Sequence, residues 1–156
     1  MDATARVRAL VADVADPEIP ALTIEDLGIL RGVRLDGGVV VVEITPTYSG
    51  CPALAAIRED VESRLREHGH AEVEVRTVLS PAWTTDLITD RGRSRLAAEG
   101  IAPPPPPGTA VDPDVPCPQC GSAHTEPLSR FAASPCQALR RCHACREPFP
   151  HLRAHR

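Results

Sequence analysis

The residues best suited to chemistry are six cysteines, and they are unevenly placed. Cys117, Cys120, Cys136, Cys142 and Cys145 fall between position 117 and the end of the chain, while Cys51 stands alone. Cys117-Pro118-Gln119-Cys120-Gly121 and Cys142-His143-Ala144-Cys145 form two Cys-x-x-Cys turns with 21 residues between them. Each such turn can offer two thiolates to one tetrahedral ion, the pattern of a zinc ribbon. Four thiolates suit Zn(II), and they also suit a single iron or an iron–sulfur cluster. Cys136 is either a spare buried thiol or a ligand that displaces one of the four. His124 and His143 are expected to be ordinary surface or packing residues. A module this short can hardly sustain a core, so its ion must contribute to folding.

Cys51 precedes Pro52, a residue favoured at the first helical position. The thiol is thereby expected at or next to the N-cap of a helix, where the helix dipole and free N–H groups favour a thiolate. A thiol so placed can act as a nucleophile or a metal ligand, and burial as a small hydrophobe is the structural alternative. Just upstream, Thr45-Pro46-Thr47-Tyr48-Ser49-Gly50 reads as a hydroxyl-rich turn.

The elements that must position these groups are legible from periodicity. Val7, Leu10, Val11 and Val14 recur at helical spacing, which predicts a first helix over 4–15, stopped at Pro17. Strands are expected over 29–35 and 39–45, joined by Asp36-Gly37-Gly38, a strong hairpin signal. Leu54, Ile57, Val61 and Leu65 mark a second helix closed by Gly69. A third strand runs from Val73 to about 79, Ser80-Pro81-Ala82-Trp83 breaks it, and a last helix spans 90–99 up to Gly100. The order αββαβα predicts an α+β layer fold. Asp16 and Asp26 either cap turns or serve a site, and Trp83 is expected in the core or at a hinge.

Five consecutive prolines, Pro103 to Pro107, favour an extended spacer. The expected organisation is an αβ domain over 1–101, a Pro-rich linker over 102–116 and a zinc-ribbon-like module over 117–156. The first carries 11 Arg against 17 Asp and Glu, and the remainder 6 Arg against 4. All 17 basic residues of the chain are Arg, which excludes lysine Schiff-base and P-loop chemistry. A net charge of −4 and only four Phe, Trp and Tyr residues argue against a nucleic-acid groove. With 42% hydrophobic residues the chain can build a globular core, yet no apolar run approaches the roughly 20 residues of a membrane span. No basic, then apolar, leader opens the chain, so a cytoplasmic location is expected. In that compartment, clustered Cys reads as metal ligation rather than disulfides.

Asp16-Pro17-Glu18, Asp26-Leu27-Gly28, Thr47, Cys51-Pro52 and Pro81-Ala82-Trp83 follow one another in an order that resembles a family of small iron–sulfur assembly factors including SufT. The resemblance implies that Cys51 is the functional thiol, with Asp16, Glu18, Asp26 and Thr47 around it. Further along, Thr84-Thr85-Asp86, the run from Gly100 to Pro104, both Cys-x-x-Cys turns, Cys136 with Ala138, and Glu147-Pro148-Phe149 look like the PaaD (PaaJ) family of phenylacetate degradation. Members of that family are encoded with the subunits of a phenylacetyl-CoA 1,2-epoxidase. Leu87 departs from the pattern, since relatives usually carry Trp there.

The resemblance implies a maturation factor rather than an ordinary catalyst. Cys51 would transiently hold iron or an iron–sulfur cluster, and the ribbon, holding Zn(II) or iron, would be structural or would dock a client. The expected partners are the oxygenase subunits, above all its iron–sulfur reductase or its di-iron subunit, and a homodimer is left open. The rival expectation is a stably bound, non-catalytic or electron-carrying subunit of the oxygenase. A zinc-ribbon nucleic-acid binder and a Cys-dependent hydrolase rank below both.

Overall fold

The computed structural model describes residues 2–48, 50–109, 114–132 and 136–155. Ser49 of the hydroxyl-rich turn, part of the proline-rich segment (110–113) and the Ser134-Pro135 pair before Cys136 lie outside the described residues. The chain forms two compact units, Met1–Thr89 and Asp90–Arg156.

The first unit opens with helix α1 (Ala3–Ala12), capped by Asp2, whose carboxylate accepts from the Ala5 N–H at 2.7 Å. The helix is shorter than its apolar spacing predicts. Beyond Asp13 the backbone is drawn into a loop: Ala15 bridges Thr23, and the Asp16 N–H donates to the Leu22 carbonyl at 2.9 Å. Strands β1 (Leu30–Asp36) and β2 (Val39–Ile44) form the expected antiparallel hairpin. Gly37 and Gly38 both take positive φ (57° and 87°), the conformation a two-residue hairpin turn of this twist requires.

Helix α2 (Ala53–Glu67) then carries the chain to β3 (Val73–Thr77), which pairs parallel to β2. A parallel pair needs such a crossover, because a tight turn cannot reverse the chain direction twice. The sheet order β1-β2-β3 leaves β2 central, and Val40, Val41, Val42 and Ile44 are buried, as an unbroken apolar strand demands. Helix α1 packs against α2 and β1, and α2 packs against β3. Val7 and Val11 of α1 and Ile57, Val61 and Leu65 of α2 are the buried helical contribution. A short 3-10 turn (Thr85–Leu87) ends this unit.

The second unit begins with α3 (Asp90–Ala98) and continues into a three-stranded antiparallel sheet, β4 (Thr125–Ser129), β5 (Gln137–Cys142) and β6 (Pro148–Leu152). The segment expected as an extended spacer starts beside the ribbon sheet. Ala102 pairs with the edge of β6, donating to the Pro150 carbonyl and accepting from the Leu152 N–H, both at 2.9 Å. Its side chain is buried with Val115, Cys117, Cys142 and Phe149. Apolar burial and two backbone hydrogen bonds thus hold the start and the end of the 102–116 segment to the ribbon. Among the described residues no helix is long and apolar enough to cross a membrane.

Candidate metal centre and candidate thiol site

The two cysteine turns of the second unit are built alike. In the first, the Cys117 N–H donates to the Ser122 carbonyl at 2.9 Å, and Gly121 turns the chain at φ 79°. In the second, the Cys142 N–H donates to the Glu147 carbonyl at 3.0 Å, and Arg146 occupies the equivalent position at φ 65°. Each turn folds five residues back so that both of its sulfurs face one point. The four Sγ atoms lie within 4.8 Å of one another, with Cys117–Cys145 at 3.7 Å and Cys120–Cys142 at 3.5 Å. Four sulfurs about 2.3 Å from one tetrahedral ion stand roughly 3.8 Å apart, so the donor set fits a thiolate-bound metal.

The electrostatics of the cluster point the same way. The Cys145 backbone N–H, aided by the Cys120 thiol, outweighs burial at Cys142 and brings its pKa down to about 6. At Cys145 the Glu147 backbone N–H favours the thiolate, but burial and the facing sulfurs of Cys117, Cys142 and Cys120 prevail, and its pKa is pushed up to about 12. Crowded thiols divide into one that ionises readily and one that resists, a conflict that a divalent cation among them resolves. The Gln119 N–H donates to the Cys117 sulfur at 3.4 Å, an outer hydrogen bond of the kind that orients a ligand. Cys136, His124 and His143 are not members of the group, and His143 instead faces Glu126 at 3.6 Å.

Cys51 sits in the first unit, half-buried, one residue ahead of Pro52, which caps α2 with helical dihedrals. Its N–H donates to the Tyr48 carbonyl at 3.2 Å, its carbonyl accepts from Leu54 at 3.3 Å, and Gly50 beside it has φ 75°. The turn hangs from the C-terminal end of β2, the edge where ligands gather in sheets with parallel strands.

Two further sequence motifs reach this same edge. The Thr45 N–H donates to the Ile29 carbonyl at 2.9 Å, which fixes the segment after Asp26-Leu27-Gly28 beside the end of β2. The Val78 N–H donates to the Ile44 carbonyl at 2.8 Å, so the loop after β3 leaves from there too. In that loop the buried Trp83 donates from Nε1 to the Leu27 carbonyl at 2.8 Å. Gly28, at φ 71°, lies so close to Leu87 that a Cβ would meet its carbonyl oxygen at 2.5 Å.

Two of the acidic residues have a local task. Asp16 is buried, and its Oδ2 accepts from the Ile19 N–H at 2.8 Å. Burial raises its pKa above the ordinary 3.8, the Ile19 N–H opposes this, and the nearby Glu18 charge adds to the rise. Asp26, fully buried, accepts from the Thr23 N–H at 3.0 Å while its own N–H donates to Thr23 Oγ1 at 3.1 Å. This reciprocal pair locks the loop as a capping box locks a helix start. Glu18 is exposed and Thr47 half-buried. Among the described residues, the metal-competent cluster is the four cysteines, and these carboxylates do not form one with Cys51. Arg146 is the structural residue of the ribbon whose role the motif reading missed. Its signal is the offset, four residues after the first Cys of each turn, that it shares with Gly121.

The two units together define a class: an iron–sulfur-assembly-type αβ domain joined to a four-cysteine ribbon. Residues 4–78 match the family model described as iron–sulfur cluster assembly protein, and residues 102–153 match the PaaD zinc beta ribbon domain. The chain belongs to the PaaD family. Over 147 residues it is 44% identical to a protein of Escherichia coli (strain K12) named as one subunit of a "Putative 1,2-phenylacetyl-CoA epoxidase", covering 93% of this chain and 89% of that one. The first unit is also similar to the Fe-S protein maturation auxiliary factor SufT of Staphylococcus aureus (strain USA300), 37% identical over 78 residues, 49% of this chain and 88% of the relative. Among solved structures, a domain of unknown function (DUF59) from Bacillus anthracis superposes with a TM-score of 0.55 at 28% identity, covering 60% of this chain and 90% of that one.

Proposed function

We propose that this protein is a cytoplasmic maturation factor that delivers iron or an iron–sulfur cluster to the phenylacetyl-CoA epoxidase system. Cys51 is the transfer ligand in this reading, and the ion or cluster is its cargo. Asp16, Glu18, Asp26 and Thr47 belong to the surroundings of that thiol. The observation that carries the reading is the half-buried Cys51 in the turn after β2, which is not a member of the four-cysteine group. Transfer needs a ligand that binds and lets go, whereas four converging thiolates hold an ion for good. The ribbon therefore holds structural Zn(II) and presents the protein to its client, the iron–sulfur reductase or the di-iron subunit of the oxygenase.

Replacing Cys51 with Ala in cells that depend on the oxygenase, beside Cys117→Ala, tests the assignment. The Cys51→Ala protein is expected to fold and to keep its ribbon metal, while the oxygenase loses activity and iron. Wild-type oxygenase activity with Cys51→Ala would refute the transfer role.

The name of the Escherichia coli relative favours a second reading, a stably bound subunit of the oxygenase. Co-purification with the oxygenase at a fixed ratio supports that alternative, and a transient encounter supports maturation. An electron-carrying ribbon requires iron and a visible chromophore in the purified protein. One equivalent of zinc in a colourless sample excludes it.

A further inference from the structure

The sheet of the first unit ends at β3, whose outer edge has the polarity of a pairing strand. The order β1-β2-β3 gives β3 one strand neighbour, β2. The Glu72 carbonyl accepts from the Val40 N–H at 3.0 Å, and the Val78 N–H donates to the Ile44 carbonyl at 2.8 Å. Even-numbered residues of β3 therefore turn their backbone groups toward β2. Alternation turns those of Val73, Val75 and Thr77 to the outer edge. A row of outward N–H and C=O groups is a template for another strand.

The side chains decide which strand fits. Val75 is buried, while Glu74 and Arg76 flank it and are exposed on the opposite face. Consider a second copy laid antiparallel with Val75 opposite Val75. Glu74 of each strand then faces Arg76 of the other, Val73 faces Thr77, and the outward backbone groups of both strands meet. Sliding by two residues keeps those groups facing, but it sets Glu74 against Glu74 or Arg76 against Arg76. Like charges directly opposite are destabilising, so the register centred on Val75 is the favoured one. Glu43 of β2 stands opposite Arg76, and the copy's Glu74 would continue that row of alternating charge.

In the single chain these groups are held locally. Arg58 of α2 donates through Nη1 to the Val75 carbonyl at 2.5 Å and through Nη2 to Thr77 Oγ1 at 2.9 Å. Arg76 donates to Glu74 within the strand, at 2.8 and 3.1 Å. Pairing exchanges both contacts for equivalents. The Val75 carbonyl accepts the copy's Val75 N–H in place of Arg58, and each charge finds its opposite across the two strands.

We propose that β3 is the interface of a homodimer, two copies joined antiparallel about Val75 into one continuous sheet, with Arg58 as the latch that opens to admit the contact. Such an interface is isologous and closes on itself. It uses no residue of the Cys51 turn or of the four-cysteine group, so it stands apart from the transfer reading.

Sedimentation equilibrium and hydrogen exchange of the full-length, metal-loaded protein, over a range of concentrations, test it. A monomer–dimer equilibrium is expected. The amides of Val73, Val75 and Thr77 are expected to gain protection as the dimer fills, while those of Glu74 and Arg76, directed at β2, change little. Glu74→Arg sets like charges opposite each other at both ends of the contact and is expected to weaken the dimer about tenfold or more. Glu74→Arg/Arg76→Glu restores the opposite pairing and is expected to return the affinity to within about threefold of wild type. Arg58→Ala frees the Val75 carbonyl and is expected to tighten the dimer. A monomer at every concentration, a dimer that leaves the three amides unprotected, a dimer indifferent to Glu74→Arg, or protection that needs an added oxygenase subunit would overturn the proposal. The exchange readout is made on wild-type protein, so it decides the matter even if a variant fails to fold.

Discussion

Gly121 and Arg146 occupy the same place in two copies of one turn, each four residues after a metal-facing cysteine and each at positive φ (79° and 65°). Glycine takes that conformation freely, while an L-residue with a Cβ is strained there by about 1 kcal/mol. Arg146→Gly is therefore expected to stabilise the ribbon by roughly 0.5–1 kcal/mol, and Gly121→Ala to destabilise it by about 1 kcal/mol. Thermal melts of the metal-loaded protein measure both, and equal melting points for the two variants would contradict the account.

Removal of the metal is expected to unfold the ribbon and spare the first unit. The four sulfurs are held within 4.8 Å of one another by two short turns and a small apolar cluster, which cannot oppose thiol crowding unaided. A strong chelator, or Cys117→Ser, is predicted to abolish amide protection across β4–β6 while Met1–Thr89 keeps its protection in hydrogen exchange. Metal uptake is predicted to release protons, since thiols must ionise to bind.

Gly28→Ala is expected to be severe. The substitution places a methyl group 2.5 Å from the Leu87 carbonyl oxygen, on a backbone already at φ 71°. Left-handed strain and the clash together predict a loss of about 2 kcal/mol or more. Urea unfolding of the full chain measures it. The same approach explains why Asp26-Leu27-Gly28 ends in glycine: the 3-10 turn packs directly on its Cα.

Asp16 makes a prediction with a defined sign. Its folded-state pKa is raised above 3.8, so ionisation favours the unfolded chain, and the charged carboxylate lowers stability at pH values above the folded pKa. Asp16→Asn keeps an acceptor for the Ile19 N–H and removes the buried charge. The variant is predicted to equal or exceed wild-type stability at neutral pH, the excess fading as pH falls through the raised folded pKa and vanishing below 3.8, where the carboxyl becomes protonated in both states. An Asn variant that is less stable at neutral pH and gains on wild type with acidification would reverse the sign and refute the burial account.

Much of this molecule is local and therefore readable in one dimension. Helix α2 follows from Leu54, Ile57, Val61 and Leu65, and the hairpin from Gly37-Gly38, because helical stripes and left-handed turns depend on residues a few positions apart. The four-cysteine site is legible for the same reason: each turn prepares two sulfurs on its own, and four thiols at that spacing suit one ion.

The remainder depends on pairings between distant segments, which no short window contains. Antiparallel pairing of β1 with β2 and parallel register between β2 and β3 together bring the Cys51 turn, the 26–29 segment and the Trp83 loop to one edge. Asp16 and Asp26 look the same in sequence whether they cap a turn or meet a ligand. Only the fold shows that both are buried while accepting from the Ile19 and Thr23 N–H groups. Proline composition reads as a spacer, yet Ala102 is drawn onto β6 because burying it beside Phe149 and satisfying two edge hydrogen bonds outweighs a free strap.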